Sequence, residues 1–382
     1  MRKVRAGIVG TGFIGPAHLE AVRRLGFVEV IAVCENGEAL AREKAEALLI
    51  DRAYGSVEAM LADPDIEVIH NCTPNHLHCA INMQAMAAGK HVISEKPLAM
   101  TTRESAALVE MAERTGLVNA INFNYRGYPL VQQARSMVAD GALGDVFHAT
   151  GSYTQDWLFL KTDWNWRLVP EFSGESRAIA DIGSHWCDLI QYISGRRIVR
   201  VFAHLHTVHK TRMRPRSEIE TYSGKLLTAD DYEEAPIETE DYAAVLFELD
   251  GGAVGSFNVS QCFAGRKNRL FFELCGSRCS VTWDQEQPNE MLVGYREKPN
   301  ELLLKDPSLL SAAARSYASY PGGHPEAYPD GAKQVMLRIY SHIAEPGPDP
   351  DFPTFRDGHN ELAICEAIVR SSRTRAWETV GY

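Results

Sequence analysis

Two short segments of the sequence combine residue types that can move a proton. Asp181 precedes His185 by four positions, a spacing that on a helix places both side chains on one face. A carboxylate beside an imidazole is a common general-base arrangement, because the imidazole titrates near neutrality and the acid orients it. Lys96 precedes Pro97 after an apolar run, where an ammonium can hydrogen-bond a substrate hydroxyl and favour its deprotonation. A capping aspartate with a buried histidine, and an ordinary surface Lys-Pro turn, explain the same residues without catalysis.

A glycine-rich turn near the N-terminus indicates where a dinucleotide binds. The residues from Gly10 to Gly15 follow an apolar strand pattern and open a helix pattern, in a G-x-G-x-x-G arrangement. Such a turn lets the backbone approach a pyrophosphate and aims a helix N-terminus at its negative charge. Glu35 ends the next strand pattern, where a carboxylate accepts hydrogen bonds from the adenosine ribose and favours NAD over NADP. A solvated turn acid is the alternative for Glu35, and Asn36 and Arg42 leave NADP open.

Alternating strand and helix patterns fill the first 125 residues. Strand patterns cover 4–9, 28–34, 68–72, 91–94 and 118–123, and helix patterns lie between them. Alternation at this spacing predicts right-handed βαβ units and a parallel sheet covered on both faces. We therefore predict an α/β domain of the Rossmann, dinucleotide-binding type over residues 1–125.

The pattern changes after residue 126. One helix pattern from Tyr128 to Gly141 precedes strand patterns at 146–153, 199–206, 242–249, 253–261, 268–275 and 280–283. Asp250-Gly251-Gly252 separates two of these strands and indicates a hairpin. Strands in succession predict a large, mostly antiparallel open sheet, and hence an α+β domain for substrate binding and oligomerisation over 126–382. A final helix pattern at about 358–370 is compatible with packing on either domain.

Composition narrows the class of protein. The 382 residues are 45% hydrophobic and 23% charged, which is typical of a globular protein, and their formal net charge is −11. This acidic balance argues against a nucleic-acid partner, and no apolar run has the length of a membrane span. The eight cysteines include no C-x-x-C pair and the N-terminus lacks a signal-peptide pattern, so we expect a cytoplasmic protein.

The range His70–Cys79 is rich in potential metal ligands. Its histidines and cysteines are divided between a strand pattern and the start of a helix pattern, so their spacing assembles no tetrahedral set. We therefore expect no metal site. The turn Thr73-Pro74-Asn75 follows a parallel strand, and its position predicts that it lines the cofactor crevice.

Together these motifs resemble those of the Gfo/Idh/MocA family of oxidoreductases, which includes inositol dehydrogenases. The resemblance covers nearly the whole chain, from the glycine turn through Glu95-Lys96-Pro97 and Asp181-x-Gly-Ser-His185 to Gly323-His324-Pro325-Glu326. It implies that Lys96, Asp181 and His185 are catalytic and that Glu95 contacts the nicotinamide ribose. The implied cofactor site consists of Gly10, Gly12, Phe13, Ile14, Gly15, Glu35, Thr73, Pro74, Asn75, His78, Glu95, Lys96, Asn124 and Arg126.

Segments 123–126, 151–157 and 165–167 look like those of anhydrosugar-oxidising members of the family. Sugars bind to aromatic faces combined with convergent hydrogen-bonding groups, which these segments supply. The implied substrate residues are Lys96, Tyr125, Tyr153, Gln155, Asp156, Trp157, Trp166, Arg167, Asp181, His185 and His324. The range Thr207–Glu240 has no clear counterpart in those members. Its basic run Lys210–Arg216 predicts a solvated loop of mixed charge, with a subunit contact or a phosphate site as alternatives.

The sequence therefore predicts an enzyme that transfers a hydride between NAD, or NADP, and a secondary hydroxyl of a sugar, anhydrosugar or inositol. Its expected partners are a small polyol or sugar substrate and further copies of the chain in a homodimer or homotetramer, with no nucleic acid and no membrane. Two other functions remain open on the same fold, a redox-neutral NAD-dependent glycosidase or lyase and a non-catalytic sugar or nucleotide sensor. The sequence leaves open whether His185 or Lys96 takes the hydroxyl proton first.

Overall fold

The computed structural model describes residues 2–216, 228–347 and 350–382. The chain forms two compact units, Met1–Gly127 with Tyr328–Leu362, and Tyr128–Ala327 with Ala363–Tyr382. The sequence-based division at residues 125 and 126 assigned the segment Tyr328–Leu362 to the second domain, whereas the structure places it in the first unit.

The first unit is built on a six-stranded parallel sheet. Its strands, in the order β3-β2-β1-β4-β5-β6, are β1 Val4–Val9, β2 Val28–Cys34, β3 Arg52–Tyr54, β4 Val68–Asn71, β5 His91–Ser94 and β6 Asn119–Ile121. The helices between them are α1 Ile14–Arg23, α2 Glu38–Leu48, α3 Val57–Leu61, α4 Asn75–Ala87 and α5 Thr102–Thr115. The strand order reverses between β1 and β4, and sheets of this type bind ligands at the carboxyl ends of the strands there. The predicted Rossmann domain is confirmed.

The helix Tyr328–Ala344, which the sequence analysis missed, completes the core of the first unit. Its residues Val335, Met336 and Ile339 pack in one cluster with the strand residues Val4 and Val28. The core of this unit is therefore complete only when this helix, about 200 residues further along the chain, packs against it. A proline and a glycine in the first turn of this helix weaken its pattern in the sequence.

The second unit contains a nine-stranded sheet in the order β16-β15-β14-β13-β7-β12-β11-β8-β17, in which only β7 and β12 pair in parallel. A separate antiparallel hairpin consists of β9 and β10. The strands are β7 Val146–Thr154, β8 Ile198–His206, β9 Thr211–Pro215, β10 Tyr232–Pro236, β11 Tyr242–Leu249, β12 Val254–Ser260, β13 Arg269–Gly276, β14 Ser280–Asp284, β15 Glu290–Gly294, β16 Glu301–Leu304 and β17 Glu378–Thr379. The predicted mostly antiparallel sheet is confirmed.

The second unit also contains several helices. They are α6 Pro129–Ala139, α7 Pro170–Ser173, α8 Ser184–Ser194, α9 Ala312–Arg315 and the last helix, Phe355–Thr374, which spans the change between the two units. Trp186 of α8 fixes that helix on the sheet, because its ring stacks on Phe257 at a centroid distance of 4.4 Å and its Nε1 donates to the Phe271 carbonyl. Among the helices that the structure describes, each is too short or too polar to cross a membrane.

Candidate active site

Two glycines of the turn after β1, Gly10 and Gly15, occupy positions that a larger residue would not fit. Gly10 adopts φ 85°, and a Cβ on Gly15 would lie 2.5 Å from the carbonyl oxygen of Gly10, so the turn packs directly against α1. Gly12 differs from both, because a Cβ placed there would meet no described atom beyond its chain neighbours within 4 Å. The turn is therefore closely packed at Gly10 and Gly15 and open at Gly12, two residues before α1 begins. This shape fits the pyrophosphate of a dinucleotide.

Glu35, at the end of β2, is hydrogen-bonded to this turn. Its Oε1 accepts hydrogen bonds from the backbone N–H of Thr11 and, at 2.6 Å, from the hydroxyl of Thr11. Among the described residues none donates to Oε2, and the side chain is partly exposed. One carboxylate oxygen thus stabilises the turn, while the other is available to a ribose hydroxyl.

Asn124 lies in the single 3₁₀ turn Asn124–Gly127 that follows β6. Its Nδ2 is buried and has no hydrogen-bond partner among the described residues. A buried donor without a partner is costly, so this atom fits the predicted contact with a bound cofactor. Arg126, predicted for the same role, donates to Asp357 at 2.8 Å within the first unit, and its predicted role stays a prediction.

His78 supports two turns of the predicted cofactor site. Its Nδ1 lies 2.7 Å from the carbonyl oxygen of Pro97, and its Nε2 lies 2.8 Å from that of Thr73. Both ring nitrogens are engaged and the side chain is buried. His78 thus joins the Thr73 turn to the Lys96-Pro97 turn, and its predicted contact with the cofactor stays a prediction.

A chain of hydrogen-bonded side chains runs through the interior of the first unit beneath the Glu95-Lys96-Pro97 motif. Glu95 Oε1 lies 2.9 Å from Nε2 of His18 and accepts a hydrogen bond from Asn122. His18 Nδ1 lies 2.9 Å from Nδ1 of His70, and His70 Nε2 lies 2.6 Å from the hydroxyl of Tyr340. All five side chains are buried.

Charge pairing sets the protonation states in this chain. Burial alone would raise the pKa of Glu95, but hydrogen bonding and charge from His18 lower that pKa to about 2. Burial alone would lower the pKa of His18, but Cys72 and Glu95 raise it to about 10. Burial and the charge of His18 lower the pKa of His70 well below its ordinary value. A carboxylate and an imidazolium are therefore paired, and His18 donates from Nδ1 to a neutral His70.

Sequence reasoning missed His18, Asn122 and Tyr340, and it considered His70 only as a potential metal ligand. The signal was a set of polar residues in strand and helix positions that are otherwise buried. In the ranges that the structure describes, no group of three or more His, Cys, Asp or Glu side chains is arranged to hold a metal ion.

Asp181 lies in the π-helical turn Ile179–Gly183, which continues into α8. Its Oδ2 accepts a hydrogen bond of 2.7 Å from Nε2 of Gln261, and its Oδ1 lies 3.4 Å from Nε of Arg167. π turns are frequent at functional sites, and this one makes the predicted α-helical spacing to His185 only approximate. Gln261 was not predicted, and it fixes one side of the carboxylate.

His185 lies in the first turn of α8 and is buried next to Tyr153, with a centroid distance of 6.2 Å between the rings. Tyr153 starts a polar network at the end of β7. Its hydroxyl and Nε2 of Gln155 both donate to Oδ1 of Asn268, at 2.8 and 2.7 Å, and Trp157 Nε1 donates to Oε1 of Gln155 at 2.8 Å. Asn268 was missed because it lies just before β13, distant in the chain from the segment that it joins.

The other predicted substrate residues differ in their surroundings. The guanidinium of Arg167 lies 4.5 Å over the ring of Trp166, so these two form a stacked pair next to Asp181. Asp156 accepts a hydrogen bond of 2.6 Å from Lys267, which anchors a loop of the second unit. Tyr125 is buried in the first unit, whereas His324 is exposed in the second.

Known proteins match the chain in both units. The domain family described as "Oxidoreductase family, NAD-binding Rossmann fold" matches residues 4–123, and "GFO/IDH/MocA C-terminal domain" matches residues 131–282. Levoglucosan dehydrogenase of Pseudarthrobacter phenanthrenivorans is 28% identical over 407 residues, covering 100% of this chain and 99% of the relative.

Solved structures show the same likeness. A levoglucosan dehydrogenase in complex with NADH and L-sorbose superposes with a TM-score of 0.89 at 27% identity, and it covers 100% of both chains. An oxidoreductase domain protein from Kribbella flavida gives a TM-score of 0.90 at 30% identity, again over 100% of both chains. An inositol dehydrogenase homologue from Azotobacter vinelandii, complexed with NAD⁺, gives 0.85 at 25% identity, covering 99% of this chain and 97% of that one.

The ion pair between Glu95 and His18 predicts a pH-dependent stability. In the unfolded chain His18 has its ordinary pKa of 6.5 and loses its proton above that pH. In the folded protein the pKa is about 10, so His18 keeps the proton over this range. Stability from this group is therefore complete below pH 6.5 and declines as pH rises towards 10, by up to about 1.4 kcal/mol per pH unit. Glu95 affects stability at acidic pH, because its contribution to the unfolding free energy is lost as the pH falls from 4.5 towards 2.

Urea unfolding at pH 7, 8 and 9 tests this expectation. The substitution Glu95→Gln removes one of the two groups that raise the pKa of His18, so we expect a smaller decline of the unfolding free energy across these pH values than in the unmodified protein. Glu113→Gln, an exposed substitution in the same unit, is the control and keeps the full decline. Equal slopes for Glu95→Gln and the unmodified protein would contradict the assigned ion pair between Glu95 and His18.

Proposed function

The chain belongs to the Gfo/Idh/MocA family and is an NAD(P)-dependent oxidoreductase of sugar-type substrates, and from that premise we propose that Lys96, Asp181 and His185 catalyse oxidation of a secondary hydroxyl. The observation that carries the assignment is the second unit's cluster, in which Asp181 and the buried His185 share one continuous helical segment. Aromatic and amide side chains suited to a sugar lie directly beside them.

The first unit supplies the cofactor site in this proposal. The turn at Gly12 and the N-terminus of α1 receive the pyrophosphate, Glu35 accepts from the adenosine ribose, and Asn124 donates from its buried amide. Glu95, a carboxylate paired with His18, accepts from the nicotinamide ribose. A bound NAD⁺ would supply the acceptor for the hydride of the carbinol carbon.

The three proposed catalytic residues divide the proton chemistry. His185 takes the hydroxyl proton, and Asp181, fixed by Gln261 and Arg167, stabilises the positive charge that His185 then acquires. Lys96 hydrogen-bonds the reacting oxygen and stabilises its developing negative charge. The Lys96-Pro97 turn is supported from below by His78 and by the ion pair of Glu95, so the ammonium extends from a rigid base.

We infer that the substrate is an anhydrosugar or a related pyranose. Two curated relatives are named for anhydrosugars, levoglucosan dehydrogenase and 1,5-anhydro-D-fructose reductase of Ensifer adhaerens. Trp157, Trp166 and Arg167 supply flat faces and hydrogen-bonding groups of the kind that such rings require. Absorbance of reduced nicotinamide, recorded with levoglucosan, other pyranosides and inositols, tests this class. Product formation without NADH would instead support the redox-neutral glycosidase.

We also propose that the protein works as a homo-oligomer in a reducing, cytoplasmic environment. All eight cysteines are free thiols, which suits such an environment. The outer face of the nine-stranded sheet carries Leu246, Leu292 and Leu302, which are 48%, 40% and 57% exposed in the described chain. Leu292 pairs directly with Leu302, and the register continues from Leu292 through four polar residues to Leu246, namely Thr282, Glu273, Thr150 and Ser256. Exposed leucines on one sheet face are a feature of protein interfaces.

Lys96→Ala is expected to lower kcat by at least about 100-fold, because the reacting oxygen loses its only proposed cationic partner. Binding of NADH, followed by fluorescence, stays near its original affinity, since Lys96 stabilises the reacting oxygen in this scheme. Lys3→Ala, an exposed substitution in the same unit, is the control. Turnover of Lys96→Ala within a few-fold of the unmodified enzyme would refute the role.

Glu35→Gln is expected to raise the ratio of kcat/KM with NADP⁺ to that with NAD⁺ by about tenfold, because removal of one charge relieves repulsion of the 2′-phosphate. The amide oxygen still accepts from Thr11, so the turn is retained. Glu43→Gln changes an exposed acid on α2 and leaves the ratio unchanged. An unchanged ratio in Glu35→Gln would show that Glu35 does not face the adenosine ribose.

Light scattering after size exclusion is expected to give a multiple of the 42.5 kDa chain mass. The pair of substitutions Leu246→Arg and Leu292→Arg places charges on the outer face of the nine-stranded sheet and is expected to lower the observed mass to that of one chain. Leu309→Arg, at a position 61% exposed and outside the sheet, keeps the assembly. A single-chain mass for the unmodified protein would exclude the oligomer.

A further inference from the structure

Three charged side chains with no exposed surface form a cluster inside the second unit. Asp241 Oδ1 accepts from Nη2 of Arg177 and, at 2.8 Å, from Nη2 of Arg212. Asp241 Oδ2 accepts from the backbone N–H groups of Val208 and His209, at 2.8 and 3.1 Å. Burial alone would raise the pKa of Asp241, but the two guanidinium groups lower it. One carboxylate therefore bridges two arginines that belong to different parts of the chain.

The first arm of the cluster leads to the catalytic turn. Arg177 Nη1 donates to Oε1 of Gln261 at 2.5 Å, which orients the amide so that its Nε2 donates to Asp181 at 2.7 Å. Gln261 has no exposed surface, so its amide is fixed between these two partners. Glu240 secures the same turn, because its carboxylate accepts from the backbone N–H groups of Arg177 and Ile179.

The second arm leads to the segment between the two candidate sugar-binding tryptophans, Trp157 and Trp166. Arg212 donates to the carbonyl oxygens of Leu158 and Leu160 at 2.8 Å, and it lies 3.3 Å from that of Asp163. The planar guanidinium presents its donors in a fixed geometry, so these carbonyls take fixed positions relative to Asp241. The segment 157–168 has no regular structure before its final turn and depends on such contacts.

Arg212 comes from β9, the first strand of the antiparallel hairpin β9–β10. The sequence analysis expected the basic run around it to be a solvated loop, and for Arg212 that expectation is wrong. The side chain is fully buried, whereas its neighbours Arg214 and Arg216 are exposed. Two neighbouring residues also contact the segment 157–168. The Met213 N–H donates to the Lys161 carbonyl, and His209 Nε2 lies within hydrogen-bonding distance of the Phe159 carbonyl.

We propose that Arg212 is a positioning residue that fixes the substrate-binding segment 157–168 against Asp241, the same carboxylate that positions Asp181 through Arg177 and Gln261. The strand β9 that carries Arg212 is therefore part of the specificity machinery. This inference rests on the proposed function, since it takes the segment as the sugar-binding one. Replacing a buried ion cluster by apolar side chains is often neutral for stability, which favours a positional role for the charges. Displacements of about 1 Å at a binding segment are enough to impair turnover.

The first test measures backbone mobility and needs no substrate. In Arg212→Met we expect amide hydrogen exchange of residues 157–168 to become at least about tenfold faster, while the amides of α8 stay unchanged. Arg216→Met, which alters an exposed arginine at the end of the same strand, is the matched control and changes neither region. If Arg212→Met does not fold, Arg212→Lys keeps the charge for Asp241 but lacks the fork for the carbonyls, and the same measurement applies.

The second test separates the two arms by kinetics with the best sugar of the substrate panel. Arg212→Met is expected to raise KM about tenfold with kcat nearly unchanged, whereas Gln261→Met lowers kcat and shifts its pH profile with KM nearly unchanged. Unchanged exchange and unchanged KM in Arg212→Met would overturn the proposal. If no sugar is oxidised, the proposed function fails, and the exchange measurement still decides whether Arg212 positions the segment.

Discussion

A charge removed from water must find a partner of opposite sign at hydrogen-bonding distance, and this constraint governs the interior of both units. In the first unit it pairs Glu95 with His18 under the Lys96 turn. In the second it joins Asp241 to two arginines behind the Asp181 turn. A third pair, Lys305 with Glu326, lies at 2.7 Å beneath the loop that carries His324. Each proposed active-site element is thus supported by a neutralised, buried charge.

These buried ion pairs explain how a widespread fold can hold the particular turns of the proposed active site. The Rossmann sheet and the antiparallel sheet provide rigid edges, and the chemistry belongs to turns at those edges. The ion groups fix the turns more tightly than backbone geometry alone would, because a guanidinium or an imidazolium defines direction as well as distance. The hairpin that contributes Arg212 contacts the proposed binding segment while forming a sheet separate from the nine-stranded one.

The sequence predicted the fold because its signals are local. The G-x-G-x-x-G turn, Glu35 and the strand patterns depend on neighbours a few residues away, and they appear where expected. The buried partners depend on residues far apart, such as Tyr340 with His70 and Gln261 with Asp181, so no local pattern indicates them. Arg212 was misread for the same reason, since a run of basic residues normally lies in solvent and only the fold shows which one points inward.

The π turn at Ile179–Gly183 makes the direction of the Asp181 side chain around the helix axis depend on a single residue. An α-helix advances about 100° per residue, and a π turn accommodates one residue more than the α-helical turn that it replaces. Loss of that residue from an ancestor or a descendant of this chain would rotate everything before the turn by about a quarter of a revolution relative to α8. Asp181 would then leave Gln261 while His185 remained beside Tyr153. A one-residue insertion or deletion at this point would therefore be enough to move the Asp181 carboxylate into or out of the site.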